Sequence, residues 1–151
     1  MPTSLARFRP HLLATLASLV LAIGLTWPVV LDPMSRLAGH PGNDSWNHVW
    51  GYWWVGDSLL NGAWPLHTKL LAHPTGGTLY FIDSVQVLLS LPIQMALGPT
   101  AAYNSVLIAG LAMSAFGAWL LANRLTGDAW ASAVALVVYG AAPHLLGQAY
   151  N

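Results

Sequence analysis

The chain has 151 residues with five basic and five acidic side chains, six histidines and no cysteine; 56% of it is hydrophobic and only 7% is charged. A charged fraction so far below the roughly 25% of a soluble domain identifies an integral membrane protein. A formal net charge of zero with no basic cluster excludes nucleic-acid binding, and the lack of cysteine excludes a disulfide framework or thiolate metal site.

All the acids are aspartates, Asp32, Asp44, Asp57, Asp83 and Asp128, and the bases are Arg7, Arg9, Arg36, Lys69 and Arg124. None interrupts the longest apolar runs. The first run, residues 12–31, is long enough as a helix to span a hydrocarbon core of about 30 Å. Arg7 and Arg9 precede it, so the positive-inside rule predicts a cytoplasmic tail at 1–11 and an outer loop after Asp32. The run exceeds the core of a signal peptide and lacks a clear A-x-A site, which favours a retained span.

Residues 32–100 read as that outer loop, punctuated by Pro33, Pro41, Pro65, Pro74 and Gly76-Gly77. Its early part, from His40 to Asp57, carries four of the eight tryptophans, two of the five acids and two of the six histidines. This density makes it the place to look for chemistry. Asn43, Asp44 or Ser45 is expected to cap a helix that stops at Asn61-Gly62. On that helix Trp46, Trp50, Trp53 and Leu60 share one stripe, and His48, Tyr52 and Leu59 another. Tryptophans so arranged suit the membrane interface, more readily than they suit sugar stacking.

Residues 84–97 are apolar but short, about 21 Å as a helix, and predict a second interfacial or re-entrant helix capped by Asp83 and ended by Gly98-Pro99. A second crossing is predicted over 101–123, with Arg124 returning to the cytoplasm. After a turn at Gly127-Asp128, a third is predicted over 129–146. Gly110, Ser114, Ala118 and Ala122 form a small-residue face suited to close helix packing. The predicted fold is therefore all-α and multi-pass, with about three transmembrane helices and a long extracytoplasmic loop carrying interfacial helices. Three crossings seldom make a complete polytopic protein. The single membrane domain, 1–151, is expected to be the N-terminal part of a larger chain, or a subunit completed by a partner's helices.

The order of these elements resembles the N-terminal module of the glycosyltransferase C superfamily, the polyprenyl-phosphate-sugar-dependent membrane enzymes and their bacterial relatives. The resemblance rests on Asp44 opening a helix after the first crossing, on Gly98-Pro99-Thr-Ala-Ala-Tyr103 leading into the second, on Leu120-Leu-Ala-Asn-Arg-Leu-Thr-Gly127, and on Ala142-Pro143. It implies transfer of a sugar from a lipid-phosphate donor to an extracytoplasmic acceptor at the bacterial inner membrane. Membrane lipid and the lipid-linked donor are then the partners, and a divalent metal is left open. Asp44 matches the family's acidic position and is the implied general base, since a hydroxyl acceptor needs its proton removed. The phosphate leaving group needs cations or donors, for which His48, His67, Lys69, His73 and Arg36 are available. Several members show paired acids, whereas Asp44 stands between Asn43 and Ser45.

Other readings of the same residues stay open. Asp44 can serve as a helix cap, and Asp44 with His48, at i and i+4, has the spacing of two metal ligands. A non-enzymatic transport or assembly subunit would use the loop for partner contacts. A haem protein would need histidines facing each other inside packed spans, and five of the six lie in loops or at the membrane edge.

Overall fold

The computed structural model describes residues 4–40, 42, 44–79 and 83–150, with side chains from residue 8 onward. Met1, Pro41, Asn43 and the side chain of Arg7 lie outside the described residues. The described chain is predominantly helical. It contains α1 (Ser4–Leu25), a 3-10 turn (Val29–Leu31), α2 (Ser45–Leu60), α3 (Ser84–Leu97), α4 (Pro99–Thr126), α5 (Ala129–Gly140) and α6 (Pro143–Ala149). One antiparallel pair of two-residue strands, β1 (His67–Thr68) and β2 (Gly77–Thr78), was not expected from an all-α reading; His67 pairs with Thr78 and Thr68 with Gly77. The chain divides into two compact units, residues 1–31 with 107–151, and residues 32–106.

In the first unit, α1 and α4 are each long and apolar enough to cross a membrane, and only 17% of each apolar window is buried within the fold. Side chains so apolar and so little covered are those of lipid-facing helices. The predicted first span, 12–31, is corrected at its end. The helix stops at Leu25, because Pro28 has no N–H to give the Gly24 carbonyl and the residue before a proline is biased out of the helical region. The chain turns there, with the Val29 amide on the Thr26 carbonyl (3.0 Å), while the Thr26 hydroxyl donates back to the Ala22 carbonyl (2.9 Å).

α4 begins two residues before the predicted span, with Pro99 at its first position, and continues three beyond it to Thr126. Gly127 ends it at φ +66, a left-handed conformation that costs glycine little. The predicted third span is broken. α5 and α6 are bent by 40° about Ala141 and Ala142, and Pro143 starts the second piece. Asp128, read from the sequence only as part of a turn, caps α5, its Oδ1 accepting the Ala131 amide at 2.7 Å.

The core of this unit is two small clusters. Ala14, Ala115, Trp119 and Leu136 pack with Leu21 and Phe116, and Ala22, Leu111 and Ala149 pack with Leu107, Ile108, Ala112 and Tyr150. The His11 ring meets Trp119 edge-on at 5.2 Å. The expected packing face is only partly covered among the described residues: Ser114, Ala118 and Ala122 are half-buried and Gly110 is exposed. The buried stripe is its neighbour, Leu111, Ala115 and Trp119, and a Cβ on Gly110 would meet nothing within 4 Å. Close approach occurs instead between Ala115 and Gly140, where a Cβ on Gly140 would lie 2.7 Å from that of Ala115.

In the second unit, α2 packs on α3. Tyr52, Val55, Leu79, Val87, Ala101 and Ala102 form its buried apolar centre. Gly56 gives α3 room to approach: the Gln94 side chain occupies the place of its missing Cβ and donates to the Tyr52 carbonyl at 2.7 Å. Asn104, fully buried, ties down the segment that follows the 3-10 turn. Its amide donates to the Pro33 and Arg36 carbonyls (2.9 and 2.7 Å), and its oxygen accepts the Ala38 amide (3.0 Å). The strand pair is fixed to the end of α2 by the Trp54 indole, which donates to the Pro65 carbonyl at 2.8 Å.

Candidate functional site

The sequence between Asn43 and Gly62 folds as predicted into α2, which stops where Gly62 takes φ +67. Trp46, Trp53 and Leu60 are exposed and Trp50 is half-buried, so the predicted stripe faces outward, while Tyr52 on the other stripe is buried. Trp50 and Trp54 stack nearly parallel at 6.1 Å, and Trp53 is tilted against both. This is an apolar, aromatic outer face on a helix whose inner face is anchored to protein.

Asp44 stands at the N-cap of α2, but its side chain makes no capping bond. Its backbone lies in the helical region, at φ −69 and ψ −5, which turns the carboxylate away from the next amides. Oδ1 instead accepts from the Asn47 side-chain amide at 3.1 Å, and the carboxylate remains exposed at the positive end of the helix dipole.

One turn further, His48 is the organised residue of the site. Its Nδ1 lies 2.7 Å from Oδ2 of Asp83, with the two side chains 39% and 35% exposed, so the pair can be reached from outside. Asp83, expected to cap α3, makes no capping bond and is turned to His48. A carboxylate on Nδ1 fixes that nitrogen as the protonated one and leaves Nε2 to meet a ligand. The imidazole lies over the Tyr103 ring at 6.0 Å and 21°, and Tyr103 in turn meets Tyr52 edge-on at 5.9 Å. Burial, then the charge on Asp83 and the neighbouring Tyr103, hold the Tyr52 phenol well above its ordinary pKa, partly offset by the Ser90 hydroxyl.

The other predicted ligand-binding residues lie apart from this pair. His67 is the first residue of β1, its ring over Gly76; Lys69 follows the strand, and His73 sits in the turn between the strands, all three exposed. Among the described residues, no hydrogen bond, ion pair or ring contact joins them to Asp44 or His48. Also among the described residues, no three His, Asp or Glu side chains are grouped closely enough to hold a metal ion.

Asp83 and Tyr103 are the residues that the sequence reading missed. Asp83 is 35 positions from its partner, beyond any helical or strand period. Its one signal was isolation, as the only acid between Asp57 and Asp128. No protein-family model matches this chain, and no curated protein or solved structure matches it either.

Proposed function

We propose that the chain is the N-terminal module of a glycosyltransferase-C-like membrane enzyme, moving a sugar from a lipid-phosphate donor to an acceptor hydroxyl outside the bacterial inner membrane. In this reading the N-terminus is cytoplasmic, and the donor pocket is completed by further transmembrane helices of a longer chain or of a partner subunit. The observation that carries the proposal is the spacing of two kinds of group on one face of α2. An exposed carboxylate, Asp44, lies one helical turn from an imidazole, His48, whose orientation is fixed by Asp83.

Side chains at i and i+4 stand about 5–6 Å apart, a span that fits the attacking and leaving oxygens of a displacement at one carbon. The Asp44 carboxylate takes the acceptor's hydroxyl proton as the acceptor oxygen bonds to the anomeric carbon. The bond from that carbon to the phosphate oxygen breaks, and its electron pair leaves on the phosphate. With Nδ1–H held by Asp83, His48 in its imidazolium form would donate from Nε2 to the phosphate oxygen on which charge develops. The exposed Trp46 and Trp53 support the same reading, since an aromatic face suits the headgroup level at which a lipid-linked sugar is found.

The test is transfer of radiolabelled sugar from a polyprenyl-phosphate donor in membranes containing the full-length protein. Asp44→Asn is expected to abolish transfer while expression and insertion are unchanged. Retained turnover would reduce Asp44 to a surface residue at a helix start. No transfer by the wild-type protein with any such donor would favour a non-enzymatic membrane subunit.

A further inference from the structure

α3 is unlike α2 in what it turns outward. Its inner face is Val87, Ser90 and Gln94: Val87 is fully buried, the Ser90 hydroxyl meets the Gln86 and Val87 carbonyls and the Tyr52 phenol, and Gln94 reaches the Tyr52 carbonyl. Its outer face, beyond Ser84 and Gln86 in the first turn, consists of Val85, Leu88, Leu89, Pro92, Met95 and Ala96. Leu89 is 78% exposed, Val85 67% and Met95 65%. A helix that lies flat at the headgroup level needs a polar side for water and an apolar side for lipid. Every polar group of α3 past its first turn is directed at its own backbone or at α2, so the outer side has nothing to offer water.

Two further observations decide what covers this face. From Ser84 to Asn123 the sequence contains no Asp, Glu, Lys, Arg or His, so the uncharged stretch runs from α3 through Gly98 into the membrane-length α4 without interruption. The face also has no aromatic ring, no arginine and, past its first turn, no hydrogen-bonding side chain, whereas protein interfaces are enriched in Tyr, Trp and Arg and carry about one hydrogen bond per 100–200 Å². Acyl chains require none of these. At about 1.5 Å per residue, α3 is about 21 Å long, enough to enter a hydrocarbon core of about 30 Å but not to cross it.

We infer that the outer face of α3 is immersed in the acyl chains of the bilayer, so that α3 is a half-membrane helix and not a surface one. The partner is the lipid tail region itself. This holds whether or not the chain transfers sugars, because no residue of the Asp44 and His48 site enters the argument.

These 151 residues contain no cysteine, so a single-cysteine scan within them needs only the replacement of any cysteine elsewhere in the full-length protein. Leu88→Cys, Leu89→Cys and Met95→Cys, with Thr75→Cys in the exposed turn as reference, would be spin-labelled in the full-length protein. The protein would be held in phosphatidylethanolamine and phosphatidylglycerol vesicles. Collision with oxygen, which dissolves in lipid, is expected to exceed collision with a water-soluble nickel chelate at positions 88, 89 and 95, with the reverse at 75. Reaction with a membrane-impermeant maleimide is expected to be about tenfold slower at the three than at 75. Nickel-dominated collision on α3 would overturn the inference by showing water at that face, and low collision with both reagents would overturn it by showing protein there. Should one variant fail to insert, Val85→Cys on the same face gives the deciding reading.

Discussion

Replacing Asn104 with alanine removes three hydrogen bonds at once, to the Pro33 and Arg36 carbonyls and from the Ala38 amide. Asn104 is fully buried, although the carbonyls it serves are only partly covered, so water can replace part of what is lost. At about 1 kcal/mol per lost bond, local stability of the 33–38 segment should fall by about 3 kcal/mol. That corresponds to about a hundredfold greater population of the opened segment. Arg36 supplies the assay, because trypsin cleaves after it: with opening fast relative to cleavage, the rate of cutting at Arg36 follows that population. Asn104→Asp keeps an acceptor for the Ala38 amide but sets a carboxylate oxygen against two carbonyls, and should be at least as damaging. A rise in cleavage of less than about threefold in Asn104→Ala, under ~0.7 kcal/mol, would refute the reasoning and show that the segment is held by something else.

In the first unit, Gly140→Ala adds a methyl 2.7 Å from the Ala115 Cβ and 2.8 Å from Leu21 Cδ2. Overpacking there should destabilise by about 1–3 kcal/mol against a smaller gain in helix propensity, read as a lower thermal midpoint in detergent; an unchanged or higher midpoint would show that α1 and α4 yield freely. The phenol of Tyr52 is held protonated by the fold, so folding and proton binding are linked. With the folded pKa raised, this contribution is complete below the unfolded value of about 10 and is lost as pH rises above it. Wild-type protein should therefore lose stability above about pH 10 more steeply than Tyr52→Phe, and parallel curves from alkaline melts would count against the burial argument.

What was legible in the sequence followed from period and composition. The uncharged runs of α1 and α4 were visible as spans, and α3 and the end of α2 were bounded by Gly98-Pro99 and Gly62, residues whose backbone chemistry stops helices wherever they stand. The end of α1 was missed because apolar content continues to Leu31 while the hydrogen-bonding pattern fails at Pro28. The break in the third span was missed for the same reason, since Pro143 has no N–H for the Tyr139 carbonyl and sets Ala142 in an extended conformation without interrupting the hydropathy. For the site, Asp44 and His48 shared a visible spacing, but the contact that orients His48 comes from Asp83, on a separate element. The choice of packing stripe on α4 was equally hidden: Gly110 and Ala115 are both small, and only the position of Gly140 decides which of them meets a neighbour.

The Tyr150 hydroxyl donates to the Leu25 carbonyl, at the end of α1. That carbonyl is one that the turn at Pro28 leaves without its helical donor, the Val29 amide being occupied by Thr26. A partly buried carbonyl left unanswered is costly, and here the tyrosine hydroxyl answers it. The proline that ends the first helix and the tyrosine that follows the last therefore act as one joint made from distant parts of the chain. A relative that moved the stop in α1 by a residue would have to move its donor too, and one that lost the tyrosine would need another hydroxyl, or a straighter helix, in its stead.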